Sequence, residues 1–315
     1  MDVSIIIVNY HTEELIRDAV SSINDKTSGV DCEVIVVDND STEHSRSLLT
    51  SMQCKWPLKY VAMPENKGFG LANNAGFSLA EGKYLFCLNP DTLLVNNAIK
   101  ILFDYIDSHP RCGACGGNLY HSDMSRAISF RRILPGALWE FSEGVKRHPE
   151  HLLFGRNSRF NHTEHPIKVG YITGADLMLR ADLIKKIGGF APEFFMYYEE
   201  TDLCARIHRA GYDVVSVPQA QIIHLEGKSM GDEAVNHNKM KYYAQSRLEY
   251  YRRNLPLKKA ARAYVFHLRN LKKEAAKKCS GAEVYRVHLA YTLKALDSYP
   301  ELKRLLPARL LSPDA

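Results

Sequence analysis

The stretch "KYLFCLNPDTLL" begins as an apolar segment, Tyr84 to Leu88, and ends on Asn89-Pro90-Asp91. An amide and a carboxylate at the tip of a buried strand are rigidly held. The carboxylate suits a divalent metal, and Pro90 restricts the turn that aims it. A second acidic set lies in "YYEETDLCARI". On a helix, Glu200 shares a face with Leu203, Cys204 and Ile207, while Glu199 aligns with Asp202, which can pair with Arg206 four residues on. A carboxylate heading an apolar stripe is desolvated, and desolvation raises its pKa toward that of a useful general base. Glu200 is therefore the expected base and Glu199 the second choice. The bland alternative is a helix N-terminus decorated with acids that its dipole favours.

These residues need a frame. The first 110 residues alternate continuous apolar runs with helical spacing. "VSIIIVNY", "CEVIVVDND", "LKYVAMP" and "KYLFCL" read as strands. Helices are expected over 12–27, after a Ser41-Thr42-Glu43 cap, over 69–80 and over 96–108. Strands with continuous hydrophobicity joined by helices predict a parallel sheet covered on both faces, a doubly wound α/β architecture. Beyond residue 110, "CGACGGNLY", "VGYITGADLMLR" and "YDVVSVPQAQIIH" read as extended, "ADLIKKIG" and 199–210 as helical, and 121–168 shows no clear period. From about 232 onward the chain is helical in character.

In open parallel sheets ligands bind outside the carboxyl ends of the strands. Here those ends are Asn9-Tyr10-His11, Asp38-Asn39-Asp40-Ser41, Pro64-Glu65-Asn66-Lys67-Gly68 and Asn89-Pro90-Asp91. Amides and carboxylates along one edge suit base and ribose, with a carboxylate left for a metal on the phosphates. Each turn alone is ordinary turn chemistry; four at one edge point to a ligand. A redox dinucleotide fold would place G-x-G-x-x-G after the first strand, where "VNYHTEEL" has no glycine. A sugar-phosphate nucleotidyltransferase would need a glycine-rich phosphate loop there, which is equally absent.

Composition is that of a globular protein, 45% hydrophobic and 24% charged over 315 residues. No run is apolar enough to span a bilayer, and "MDVSIIIVNY" reads as a cytosolic start rather than a signal peptide. Seven cysteines in mostly apolar surroundings read as reduced thiols; Cys112 and Cys115 form a C-x-x-C without the partners of a zinc site. The net charge of +5 is uneven: residues 228–315 hold 19 Lys and Arg against 8 Asp and Glu.

The motifs "SIIIVNYHTEEL", "VVDNDST", "ENKGFGLANNAG", "LNPDTLL", "TGADLMLR", "IGGFAPEFFMYYEETDLCARIHRAGY" and "IIHLEG" together resemble the inverting family-2 glycosyltransferases of the GT-A fold, in their rhamnosyltransferase-like branch. The resemblance covers about residues 1–230. It implies a catalytic part over 1–230, with a nucleotide-binding half (1–110) and an acceptor half (111–230), followed by a basic helical region over 231–315. It implies that Asp38 holds the nucleotide base with Asn9 and Tyr10, and that Asn66, Gly68, Phe69 and Asn73 close over base and ribose. Asn89-Pro90-Asp91 stands for the family's D-x-D, with Asn89 toward ribose or sugar and Asp91 on Mn²⁺ or Mg²⁺; His224 matches a metal-ligating imidazole of some relatives. Glu200 occupies the position of the proposed base, where Asp is usual. Gly174 and Asp176 lie where relatives position donor sugar and acceptor. The loop "AISFRRILPGALWEF" is expected to form an acceptor lid, with Trp139 stacking on a sugar and Arg131 or Arg132 meeting a phosphate.

The implied activity is metal-dependent inverting transfer from a nucleotide-diphosphate sugar, dTDP-rhamnose or a UDP-sugar, to a glycan or lipid-linked glycan in cell-surface polysaccharide synthesis. A non-catalytic nucleotide-sugar binding protein is the rival, motivated by the departures at Asn89 and Glu200. For residues 236–273, three readings stand: docking on anionic lipid with the apolar face down, at the inner face of the plasma membrane; packing on the core; and a homodimer interface. Nucleic acid is not expected as a partner, since nothing resembles a base-reading module.

Overall fold

A computed structural model of the chain describes residues 1–40, 43–143, 153–225, 235–277, 279 and 281–312. The expected cap at Ser41 and Thr42 lies outside them, as do Glu226 and Gly227 of "IIHLEG". The strands are β1 (Val3–Asn9), β2 (Cys32–Asn39), β3 (Leu58–Met63), β4 (Tyr84–Leu88), β5 (Thr92–Leu94), β6 (Cys112–Tyr120), β7 (Phe130–Arg131), β8 (Ile167–Lys168), β9 (Tyr171–Ile172), β10 (Asp176–Arg180) and β11 (Asp213–His224). They form a sheet in the order β3-β2-β1-β4-β10-β6-β11-β5, with β8 also on β11, and a small β7-β9 ribbon.

The first four strands are parallel, as their apolar runs require. Successive residues alternate faces, so Val3, Ile5 and Ile7 enter one core while Ile6 and Val8 enter the other. The first core is closed by α1 (Glu13–Lys26), α2 (Glu43–Thr50) and α4 (Ala98–Ser108). The second is closed by α3 (Phe69–Leu79), α6 (Ala181–Ile187) and α7 (Glu199–Arg209). Small residues let α3 lie close to the sheet: a Cβ on Gly76 would sit 2.6 Å from Ile6 Cγ2.

The sheet departs from a wholly parallel arrangement at β10, which runs antiparallel to both β4 and β6. The run "VGYITGADLMLR", expected as one strand, is two. Tyr171–Ile172 pairs with β7, Asp176–Arg180 enters the main sheet, and Thr173-Gly174-Ala175 is left between them. A further short strand, β5, follows the Asn89-Pro90-Asp91 turn and pairs antiparallel with β11, setting Thr92 opposite His224.

The C-terminal region forms α8 (His237–Asn254), α9 (Leu257–Ala275), α10 (Ala282–Leu296) and α11 (Pro300–Arg304). Many of its aromatic and aliphatic side chains are turned inward. Tyr250, Tyr251, Tyr264 and Leu268 build a third core with Phe194 and Tyr198, joined by α5 (Ala137–Glu143) through Ala137. Of the three readings open for this region, packing on the core accounts for these side chains of α8 and α9. All seven cysteines are free, and Cys112 and Cys115 are buried.

Candidate active site

A cavity of about 330 Å³ opens at the carboxyl ends of β1, β2 and β4. Asp91 and Glu200 face the same space, together with Tyr10, Asn66, Phe69, Asn89, Gly174, Glu199 and His224 of the residues expected to bind or react. Thr12, Asn39, Thr173, Met196 and Tyr197 also line it. Asn39 belongs to the strand-end set read from the sequence, whereas Thr12, Thr173, Met196 and Tyr197 were given no individual role, because such side chains carry little chemical signature by themselves.

On one side, β4 ends and the chain turns through Asn89-Pro90-Asp91 into β5. The β5–β11 register carries His224 to this turn, with its Nε2 3.3 Å from Asp91 Oδ1 and 3.4 Å from Asn89 Nδ2. The Leu225 N–H donates to the Asp91 carbonyl at 2.9 Å and locks the two segments together. Asp91 is only 4% exposed. A carboxylate and an imidazole in such proximity, with the Asn89 amide nitrogen beside them, form a partial ligand set of the kind a divalent cation shared with a diphosphate would complete. Among the described residues no cluster of three or more His, Cys, Asp or Glu forms a complete cage.

Facing it is the start of α7. Tyr197 and Tyr198 both adopt left-handed conformations, with φ of 70° and 68°, which is costly for bulky side chains and is sustained only by surrounding contacts. This turn delivers Glu199 and Glu200 to the cavity. Burial pushes the Glu199 carboxyl well above the ordinary range, reinforced by Glu200 beside it, and its Oε2 has no hydrogen-bond partner. Burial also raises Glu200, against the opposing hydrogen bond from Thr201 Oγ1 at 3.3 Å. Asp202 turns away and is fully buried, accepting from Arg206 Nε at 2.8 Å, as the i,i+4 spacing predicts.

The contacts that hold the strained turn come from α8. Ser246 Oγ donates to the Met196 carbonyl at 2.8 Å, and Asn254 Nδ2 donates to Asp202 Oδ1 at 2.8 Å. Tyr243 stacks on Tyr197 with ring centroids 4.3 Å apart, and Tyr250 packs on Tyr198 at 5.5 Å. From the start of α3, the Phe69 N–H donates to the Phe195 carbonyl. Gly68, at φ 85°, passes so close that a Cβ would lie 2.0 Å from Phe195 O.

Several expected site residues lie behind the cavity wall. Asp38 is fully buried, and its two oxygens accept from Asn9 Nδ2 at 2.9 Å and from the Tyr60 hydroxyl at 2.8 Å. Asn9 in turn accepts from the Thr12 N–H and hydroxyl through Oδ1. Asn39, the next residue on β2, is the one that reaches the cavity; it donates to Asn66 Oδ1 at 2.9 Å and accepts from the Lys67 N–H. Asn73 is buried and donates to the Phe69 carbonyl, shaping the first turn of α3.

Asp176 points into the sheet interior, accepting from the Gly117 N–H with its other oxygen unpartnered, and burial raises its pKa well above the usual carboxylate range. Arg131 pairs with Glu143 at 3.3 Å. Trp139 is 6% exposed, with the guanidiniums of Arg131 and Arg247 over its ring at 5.8 and 5.4 Å. The expected sugar stacking is not available to Trp139, because α5 turns that side chain inward beneath the Arg131 and Arg247 guanidiniums. There Glu140 accepts from Tyr251 Oη at 2.6 Å and pairs with Arg247 Nη1 at 3.1 Å.

The family described as Glycosyl transferase family 2 matches residues 4–188. An N-acetylglucosaminyl-diphospho-decaprenol L-rhamnosyltransferase of Mycobacterium tuberculosis is 27% identical over 223 residues, which is 65% of this chain and 70% of the relative. A low-salt glycan biosynthesis hexosyltransferase of Haloferax volcanii is 30% identical over 230 residues, 70% of this chain and 66% of the relative. Among solved structures, S. aureus TarS in complex with UDP-GlcNAc is similar with a TM-score of 0.58 at 17% identity, over 99% of this chain and 85% of that one. Mannosyltransferase PcManGT from Pyrobaculum calidifontis, in complex with GDP-Man and Mn²⁺, is similar with a TM-score of 0.57 at 16% identity, over 96% and 84%. These two likenesses bear on the fold. The family match spans more than half of the sequence and every strand of the main sheet but β11, so the chain belongs to glycosyl transferase family 2 and is a glycosyltransferase of the GT-A fold.

Proposed function

We propose that this chain transfers a sugar with inversion from a nucleotide-diphosphate donor to a hydroxyl of a glycan or lipid-linked glycan. The single observation that carries the reading is the shared cavity, with Asp91 and His224 on one wall and Glu199 and Glu200 on another. Asn39, Asn66 and Tyr10 line the side suited to base and ribose; Asp38 and Asn9, behind them, fix that wall. Asp91 and His224 would hold Mn²⁺ or Mg²⁺. When bound, the ion supplies charge neutralisation for the departing nucleoside diphosphate.

The chain's own work is proton transfer and positioning. Glu200 takes the proton of the acceptor hydroxyl as that oxygen attacks the anomeric carbon. Burial and the neighbouring Glu200 raise Glu199 well above the ordinary range and favour its neutral form, so that Glu200 carries the charge at the base, a division of roles that follows when two carboxyls share a desolvated site. Gly174 leaves room for the sugar beside Phe69 and Glu200. The relative named for decaprenol-linked rhamnosyl transfer makes dTDP-rhamnose the first donor to test and a lipid-linked glycan the first acceptor. The reading includes the partition of the chain into 1–230 as the catalytic part and 231–315 as the helical part bracing it, working at a membrane surface.

A thermal-shift panel of dTDP-, UDP- and GDP-sugars, each with and without Mn²⁺, tests the donor side. Stabilisation by one class, enhanced by the ion and followed by transfer to an isolated lipid-linked acceptor, is the expected result. Binding of a nucleotide sugar without hydrolysis or transfer to any acceptor would leave a binding protein instead.

A further inference from the structure

α9 carries an unusual outward face. Lys259, Arg262, Phe266, Arg269 and Lys273 fall within an arc of about 80° on a helix of 3.6 residues per turn. The four cations are exposed, and among the described residues none pairs with a carboxylate. Beside them α5, whose Trp139 and Glu140 point inward, turns Leu138 and Phe141 outward, 54% and 45% exposed. Phe141 meets Phe266 edge-on with ring centroids 5.5 Å apart, so the two helices present one joined apolar patch next to one row of cations. The nearest acid on α9, Glu274, is paired with Lys277 and lies off the row.

We infer that the α5–α9 face is a docking surface for an anionic lipid bilayer, with Leu138, Phe141 and Phe266 entering the interface and Arg262, Arg269, Lys259 and Lys273 meeting lipid headgroups. This deepens the proposed function and rests on its lipid-linked acceptor. Charge complementarity selects the occupant: a row of unpaired cations flanking exposed apolar side chains matches a surface that is anionic outside and hydrocarbon within. A nucleic acid would match the cations and leave the leucine and the phenylalanines without partners. No helix of the described residues is long and apolar enough to cross a membrane, so attachment of this kind is interfacial.

The test uses the full chain and sedimentation with vesicles, either phosphatidylcholine alone or equal parts phosphatidylcholine and phosphatidylglycerol. Binding is expected to the mixed vesicles and not to the neutral ones. It should fall about 30-fold in R262Q/R269Q, from two cations at an anionic surface, and also fall in L138S/F141S. Both variants should keep the parent's melting temperature and its nucleotide-sugar binding, which separates failure of this surface from failure of the active-site reading. Equal binding to both vesicle types, or undiminished binding by either variant, would overturn the proposal. So would a duplex DNA that binds as tightly as the mixed vesicles and loses affinity in R262Q/R269Q alone.

Discussion

At the residue scale the two walls of the cavity make separable demands. Glu200→Gln removes the proton acceptor and keeps the shape, so kcat is expected to fall by about 10²–10⁴ while donor affinity stays unchanged. Calorimetry on the variant, set beside single-turnover transfer, checks both halves, and a fully active Gln variant would remove Glu200 from the mechanism. Burial raises the Glu200 pKa, so the active, ionised form is lost at a higher pH than for an ordinary glutamate. The acid limb of kcat against pH should accordingly lie above the usual range near 4.3. Asp91→Asn should weaken nucleotide-sugar binding by tenfold or more with Mn²⁺ present and little without it, as titration in both conditions would show. These acids stood out in the sequence through their combination, since a single acid at a strand tip or a helix start also has ordinary turn and dipole roles. The orientation of Asp38, Asp176 and Trp139 was not. Each is turned inward by a partner far away in the chain: Asn9 and Tyr60, Gly117, and Arg247.

At the scale of elements, the parallel run from β3 to β4 could be read from hydrophobicity alone, since its strands are covered on both sides. The antiparallel β10, the short β5 and the break at Thr173-Gly174-Ala175 could not. Three residues give no period, and a strand's direction depends on which neighbours accept it. Packing of the α8 tyrosines, one of three readings open for that region, could not be singled out for the same reason, because the segment they cover, residues 194–198, is some fifty positions earlier. That segment and α8 act as one unit. Asn254→Ala would leave the buried Asp202 carboxylate short of a donor, a loss of about 1–3 kcal/mol. It should lower kcat about tenfold or more through displacement of Glu199 and Glu200, with the donor KM unchanged. Ser246→Ala, which frees the Met196 carbonyl, should act in the same direction, and Ser246→Thr should restore the rate. Steady-state kinetics on the three variants decides this; equal losses in KM and kcat would point to general loosening instead.

For the whole molecule, the third core makes stability depend on pH. His267 and His288 lie with ring centroids 5.6 Å apart in that core. Burial, aided by the Arg247 charge, pushes both below the ordinary imidazole range, His288 to about 2. The unfolded chain takes up protons on these rings near pH 6.5 and the folded chain does not. Stability is therefore full above that pH and declines as the pH falls below it toward the lowered folded value. Thermal melts from neutral pH down to about pH 5 should show the decline, and His288→Gln should make it shallower. An unchanged slope would place its source elsewhere, since carboxylates lowered in the folded state, such as Glu140, lose their contribution only below about pH 5.

The reliance of the Tyr197-Tyr198 turn on Ser246, Tyr250 and Asn254 has a bearing on synthesis. While the chain is still emerging from a ribosome, the sheet can close and every wall of the cavity can exist before α8 has left the tunnel. The two glutamates would then rest on an unsupported bend. Firm seating of Glu199 and Glu200 would then wait for residues 243–254 to arrive.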